Sequence, residues 1–349
     1  MWTHSLPDEP DHLPASGDVA ECARLIREGS KSFHAASLIL PADVRQGARA
    51  LYAFCRVADD RIDEGGNPQA ALAILRRRLA GAYARRPENN PVDRMFTWVI
   101  GQYAIPRAVP EALLEGFAWD AEGRVYQSFE DLKAYAVRVA GTVGVMMALV
   151  MGERRPVALA RAIDLGIAMQ LTNIARDVGE DARAGRCYLP EDWLMQAGIS
   201  RAAILAAETA DPTIRALVRR LLRAADTFYI SGLAGTDYLR PDCRAAIRAA
   251  ALIYQDIGRV IAAQEFDSVS QRAAVSKNRK LQLALRALTL KPAGAGSFET
   301  DRAGLFLIEA VARRPLPGRP VVDGLAGWPW VMDLFLQMER RRETGSVME

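Results

Sequence analysis

Apolar residues recur at spacings of three and four along most of the chain from Val19 onward. That is the period of one face of an α-helix. The pattern is clearest over Ala42–Ile62, Ala70–Ala84, Leu132–Met151, Val157–Val178, Thr213–Tyr229 and Arg244–Ala263. Ala, Leu and Arg dominate these stretches, and all three favour helix. The pattern stops at turn-formers: Gly65-Gly66-Asn67-Pro68, Arg86 to Pro91, Arg240-Pro241-Asp242 and Lys291 to Gly296. No convincing run alternates apolar and polar residues as a strand would. The spacing therefore predicts an all-α protein with one helical domain over residues 19–290. Residues 1–18 read as a mobile N-terminal tail. Residues 291–349 read as a Pro/Gly connector and a C-terminal helical extension, with the Leu305–Ala312 run and Trp328-Pro329-Trp330. The tryptophan pair reads as core or as an interfacial anchor. Gly141 and Gly144 interrupt an apolar helix at about 1 kcal/mol each relative to alanine, which points to close helix packing or to a kink.

Composition narrows the function. The 349 residues are 50% hydrophobic and 25% charged, ordinary for a globular chain. Lys+Arg of 45 against Asp+Glu of 42 leaves a net charge of only +3. With no Lys/Arg tract, a nucleic-acid partner is not expected. The four cysteines lie too far apart for a CxxC pair and read as free thiols in a reducing compartment. Only three histidines are present, which leaves zinc and Ser-His-Asp chemistry without their usual parts. Neither GxGxxG nor GxxxxGK[ST] occurs. The N-terminus lacks the basic and apolar regions of a signal peptide. The longest apolar run, between Arg138 and Glu153, is about fourteen residues, against the roughly 20 a membrane span needs. These features point to a cytoplasmic location, with membrane association as a further option.

Two acidic stations carry the candidate chemistry. In Ala58-Asp59-Asp60-Arg61-Ile62-Asp63, Asp59 and Asp63 are four apart and share a helix face. Tyr52 and Arg56 extend that seam, while Asp60 points about 100° away. A solvated helix face explains such a run equally simply. Yet carboxylates near a helix C-terminus oppose the macrodipole and repel one another, and a bound cation would remove both penalties. The second station is Asn173, Asp177 and Asp181, spaced by four and four, with Gln170 alongside. Leu171, Ile174 and Val178 lie between them and face the core. An all-oxygen donor set suits Mg²⁺, with Mn²⁺ as an alternative ion. Arg56 and Arg176 would then serve as phosphate partners. Together these features imply ionisation of a diphosphate ester, with metal ions on the leaving group and apolar helices around a carbocation.

At these residues the chain resembles the squalene/phytoene synthase family, most closely its bacterial phytoene-forming members. The resemblance covers about residues 22 to 290. It rests on Gly29 to Phe33, Tyr52 to Asp63, Tyr135 to Gly144, and Gln170 to Asp181 followed by Gly185 to Pro190. It implies an isoprenoid-synthase helical bundle around a central cavity. It also implies that Asp59 and Asp63 face Asn173, Asp177 and Asp181 across the cavity mouth and hold Mg²⁺. Carried over by motif position, Ser30, Lys31, Ser32, Tyr52, Arg56, Gln170, Arg176, Tyr188 and Tyr254 contact diphosphate or prenyl groups. Arg272 follows by a weaker match. Tyr52, Tyr135, Tyr188 and Tyr254 offer hydroxyls and ring faces to a cation. Relatives that make C30 products often carry His where this chain has Gly29. The implied reaction joins two geranylgeranyl diphosphates head to head, through a cyclopropylcarbinyl diphosphate, to a C40 triene. No NADPH is expected, and peripheral membrane contact would serve product release. The alternatives are a C30 synthase using farnesyl diphosphate and a non-catalytic helical assembly factor.

Overall fold

A computed structural model of the chain describes residues 14–64, 66–291 and 301–314; the side chains of Ser32, Asp63 and Glu64 fall outside that description. The first half contains α1 (Ser16–Gly29), α2 (Lys31–Ile39), α3 (Ala42–Glu64), α4 (Pro68–Tyr83), α5 (Pro91–Gln102), α6 (Ala108–Ala121) and α7 (Phe129–Ala136). A π-turn, Val137–Gly141, joins α7 to α8 (Thr142–Val150). Then follow α9 (Pro156–Arg183), α10 (Glu191–Ala197), α11 (Arg201–Leu205), α12 (Pro212–Gly235), α13 (Pro241–Ala263), α14 (Lys277–Thr289) and α15 (Leu305–Ala312). No strand occurs among the described residues.

Local chemistry sets the helix starts. Asn67, Asn90, Ser128 and Asp211 each accept a backbone N–H of the helix they precede. Such caps stabilise a helix by about 1 kcal/mol. Proline follows the cap in α4, α5 and α12, where its missing N–H costs nothing.

The core is built around α9 and the helix that runs from α7 through the π-turn into α8. These two cross backbone to backbone. A Cβ on Gly144 would lie 2.3 Å from the Ala162 carbonyl oxygen, and one on Gly166 would lie 2.5 Å from that of Ala140. The glycines thus serve close packing, and the π-turn adds a local departure from α geometry. The continuous helix Phe129–Val150 is 22 residues long, longer than the apolar run inside it. It and the 28-residue α9 are long and apolar enough to cross a membrane, yet 61% and 72% of their most apolar windows are buried against the rest of the protein.

The helices α3 and α9 both pack on α8, and a second path links them through α2 and α13. They are held apart by shared neighbours rather than packed along each other. The two acidic stations thus lie on separate helices that share these neighbours.

Two boundaries differ from the sequence reading. Helix α1 begins at Ser16, because Asp18 is buried and held by Arg94 at 2.6 Å; residues 16–18 are therefore not tail. Residues 301–314 pack onto the helical body: Lys133 Nζ meets Asp301 at 2.6 Å, and Arg154 donates to the Arg314 carbonyl at 2.7 Å. Trp328, Pro329 and Trp330 lie outside the described residues. All four cysteines are free thiols.

Candidate active site

The first station sits on the last two turns of α3. Arg56 pairs with Asp60 at 2.7 Å. The i, i+4 spacing favours that partner, so the seam expected from Tyr52 to Asp63 is split by an ion pair on its flank. Asp59 is exposed, and the Asp63 side chain lies outside the described residues. Tyr52 is half-buried under the end of α1: a Cβ on Gly29 would lie 2.3 Å from its hydroxyl. Any side chain at position 29 would displace that phenol. Phe33 lies between Tyr52 and Tyr254, with ring centroids 6.2 and 5.0 Å away. Ser30 Oγ caps α2 by accepting the Phe33 N–H at 3.2 Å. Lys31 is exposed beside it, and Ser32 has no described side chain.

The second station lies deeper, in the C-terminal half of α9. Asp177 accepts from Arg176 at 2.8 Å and from Arg272 at 2.9 Å. These guanidinium groups hold its carboxyl below the usual range although burial opposes them. Arg272 also reaches Glu180 at 2.9 Å. It arrives because residues 268–269 lie flat against α9. The Gly179 N–H donates to the Ser268 carbonyl at 2.9 Å. A Cβ on Gly179 would meet the Val269 oxygen at 2.2 Å. One turn on, burial and the neighbouring Asp177 charge push Asp181 up to about 7. Its nearest cation, Arg186, is 4.0 Å away. Asn173 leans on Gln170, with Nδ2 3.5 Å from Oε1. Asn173 Oδ1 is buried without a hydrogen-bond partner.

A further carboxylate, which the sequence reading did not single out, is coupled to both stations. Asp120, at the end of α6, accepts hydrogen bonds from Tyr135 and Tyr188, each at 2.8 Å. Burial raises its carboxyl to about 6, the two phenols lower it, and the charge of Asp59 raises it. The Asp120 charge in turn raises Asp181. Asp120 is therefore within electrostatic reach of both stations. Tyr254 plays a similar part on the other side, since its phenol feels Tyr52 of α3 together with Arg176 and Asp177 of α9. The four candidate tyrosines thus fall into two pairs. Tyr135 and Tyr188 share Asp120, while Tyr52 and Tyr254 flank Phe33. One signal for Asp120 was present: a carboxylate in the last turn of an apolar helix, where the macrodipole opposes it.

Among the described residues no group of three His, Cys, Asp or Glu is gathered closely enough to hold a metal ion, but the second station offers oxygen donors that would suit a hard divalent cation. A buried amide oxygen without a partner costs about 1–3 kcal/mol. A carboxyl raised by burial and by a like charge is relieved in the same way. Asn173 and Asp181 lie on one face of α9 with Asp177, all oxygen donors.

Residues 26–279 match the model of the squalene/phytoene synthase family. The chain is 49% identical over 314 residues to a phytoene synthase of Rhodobacter capsulatus, covering 86% of this chain and 92% of that protein. It is 43% identical over 277 residues to a 15-cis-phytoene synthase of a Paracoccus species, covering 76% and 89%. Among solved structures, a ligand-bound dehydrosqualene synthase superposes with a TM-score of 0.73 at 34% identity, covering 78% of this chain and 96% of that one. A squalene synthase of Alicyclobacillus acidocaldarius gives 0.66 at 26% identity, covering 72% and 95%.

Proposed function

Since the chain belongs to the squalene/phytoene synthase family and is a prenyltransferase acting on prenyl diphosphates, we propose that it condenses two geranylgeranyl diphosphates into phytoene with Mg²⁺ bound at the two acidic stations. The observation that carries the metal assignment is the oxygen face of α9: Asn173 Oδ1 without a partner and Asp181 raised, beside Asp177. Asp59 and Asp63 complete the set from α3. A divalent cation held by these residues would supply charge neutralisation to a leaving diphosphate. Mn²⁺ has the same preference for oxygen donors.

The remaining steps belong to the chain's own groups. Arg176 and Arg272 exchange Asp177 for diphosphate oxygens, which they bind in the same forked geometry. Ser30, Lys31 and Ser32, at the start of α2, receive the second diphosphate, where backbone N–H groups and a lysine favour an anion. Arg56 and Gln170 complete the polar rim. Once the first allylic diphosphate ionises, Phe33, Tyr52 and Tyr254 present ring faces to the cation on one side. Tyr135 and Tyr188 do so on the other. Attack by the double bond of the second substrate and loss of one proton give the cyclopropylcarbinyl diphosphate. A second ionisation, rearrangement and proton loss give the triene. No hydride enters, so the reaction as proposed uses no NADPH. The apolar product favours release at a membrane surface.

Purified protein should be incubated with Mg²⁺ and a mixture of farnesyl and geranylgeranyl diphosphates, with and without NADPH, and the hydrocarbons extracted. A C40 triene independent of NADPH is expected. A C30 product would overturn the substrate assignment and keep the chemistry. No hydrocarbon from folded protein would overturn the catalytic reading in favour of an assembly role.

A further inference from the structure

We propose that Asp120 is a positioning residue for the carbocation steps: by accepting both phenol hydrogens it fixes the Tyr135 and Tyr188 rings as one aromatic wall and gives that wall its negative charge. The proposal rests on the prenyl-cation chemistry above, though not on the chain length of the substrate. Three separate elements meet at this carboxylate. Asp120 comes from α6, Tyr135 from α7, and Tyr188 from the segment after α9. Both hydroxyl-to-carboxylate distances are 2.8 Å. The two rings lie 5.3 Å apart and 24° from parallel, and Tyr126 packs against both at 5.2 and 6.0 Å.

Two acidic hydrogens donated to one carboxylate remove the rotational freedom of both phenols. Charge-assisted bonds of this kind are about twice as strong as neutral ones. They also leave more electron density on each phenol oxygen and ring, the quantity that a nearby cation reads. The location suits that use. Tyr188 lines a small pocket together with Asp181 and Arg186, and Asp120 interacts with the charges of Asp59 and Asp181. The wall therefore begins where the diphosphate stations end. Asp120 itself touches the tyrosines, so it acts through them.

The test uses the full chain with Mg²⁺ and geranylgeranyl diphosphate, or whichever prenyl diphosphate the wild-type protein turns over. Asp120→Asn keeps the size of the side chain but replaces one acceptor by a donor. One phenol must then give up its bond or reverse it. We expect an unchanged melting temperature, a KM within about twofold of wild type and a kcat lower by about a hundredfold. Tyr135→Phe should show the same split. The double variant should lose far less than the product of the two single losses, because both changes break one unit. A kcat within twofold of wild type in Asp120→Asn would overturn the proposal. So would a higher KM at unchanged kcat, multiplicative losses in the double variant, or a fall in melting temperature that accounts for the lost activity. A wild-type protein that forms no hydrocarbon would overturn the parent reading and this one together; a C30 product would leave this one standing.

Discussion

The two acidic stations look alike as strings of residues and differ as places in the molecule. The station on α3 is at a helix end, with Asp59 exposed and Arg56 drawn off to Asp60. The station on α9 has side chains only 16–18% exposed at Arg176, Asp177 and Asp181. It has Arg272 brought in from a distant segment and a backbone laid flat against its rear at Gly179. Equal spacing thus gives one station with an exposed carboxylate at Asp59 and one that is partly desolvated. Solvent screens the exposed charges of the first. Burial couples the second strongly.

The largest effect should come from removing a carboxylate on either side. Asp177→Ala and Asp59→Ala should each lower turnover by at least about a thousandfold, with helicity by circular dichroism unchanged. Turnover surviving both changes would end the metal assignment and with it the pairing of the stations. Next is the backbone contact behind α9. Gly179→Ala forces a methyl group onto the Val269 carbonyl and should cost about 1–3 kcal/mol in urea denaturation, and it should weaken diphosphate binding because Arg272 moves. The same change at exposed Gly101, which has open space around its Cβ position, should not destabilise and serves as the control.

The third expectation concerns pH. The folded Asp181 carboxyl, at about 7, keeps a proton that its unfolded counterpart, at 3.8, has lost. Its contribution to stability is therefore full below the unfolded value and is lost as pH rises toward 7. At the proposed metal site Mg²⁺ would compete with that proton. Its affinity, followed by calorimetry with the metal alone, should rise about tenfold per pH unit up to about 7 and then level. Asp181→Asn should flatten the profile, and an unchanged slope would show that another group sets it. The smallest effect belongs to the exposed pair on α3. Asp60→Ala should change stability by less than about 0.5 kcal/mol, measured by the same urea titration.

Much of this was legible in the sequence because helices advertise themselves locally. Observed α3, α4, α12 and α13 begin or end within a few residues of the periodic stretches, and prolines and caps mark their starts. Helix α9 runs on to Arg183, past Val178 where the periodic stretch ended, and its final turn still buries Ala182. Asp177 and Asp181 could be found by spacing alone. Arg272 could not, and only the family resemblance pointed to it. Asp120 was hidden for a related reason: its partners lie 15 and 68 positions away, and no periodic pattern joins them. The ion pair of Arg56 with Asp60 was readable from helix geometry in principle. The attraction of a shared face with Asp59 obscured it.

The crossing of α8 and α9 has a consequence for how the molecule responds to a substrate. Where Gly144 meets Ala162 and Gly166 meets Ala140, main chain touches main chain and no rotamers exist to be exchanged. That seam can shift only as a unit, so it has little side-chain entropy to lose when a long isoprenoid is enclosed. Side-chain ordering on binding is therefore expected where α2 and the end of α3 carry exposed, many-jointed side chains such as Lys31 and Arg56.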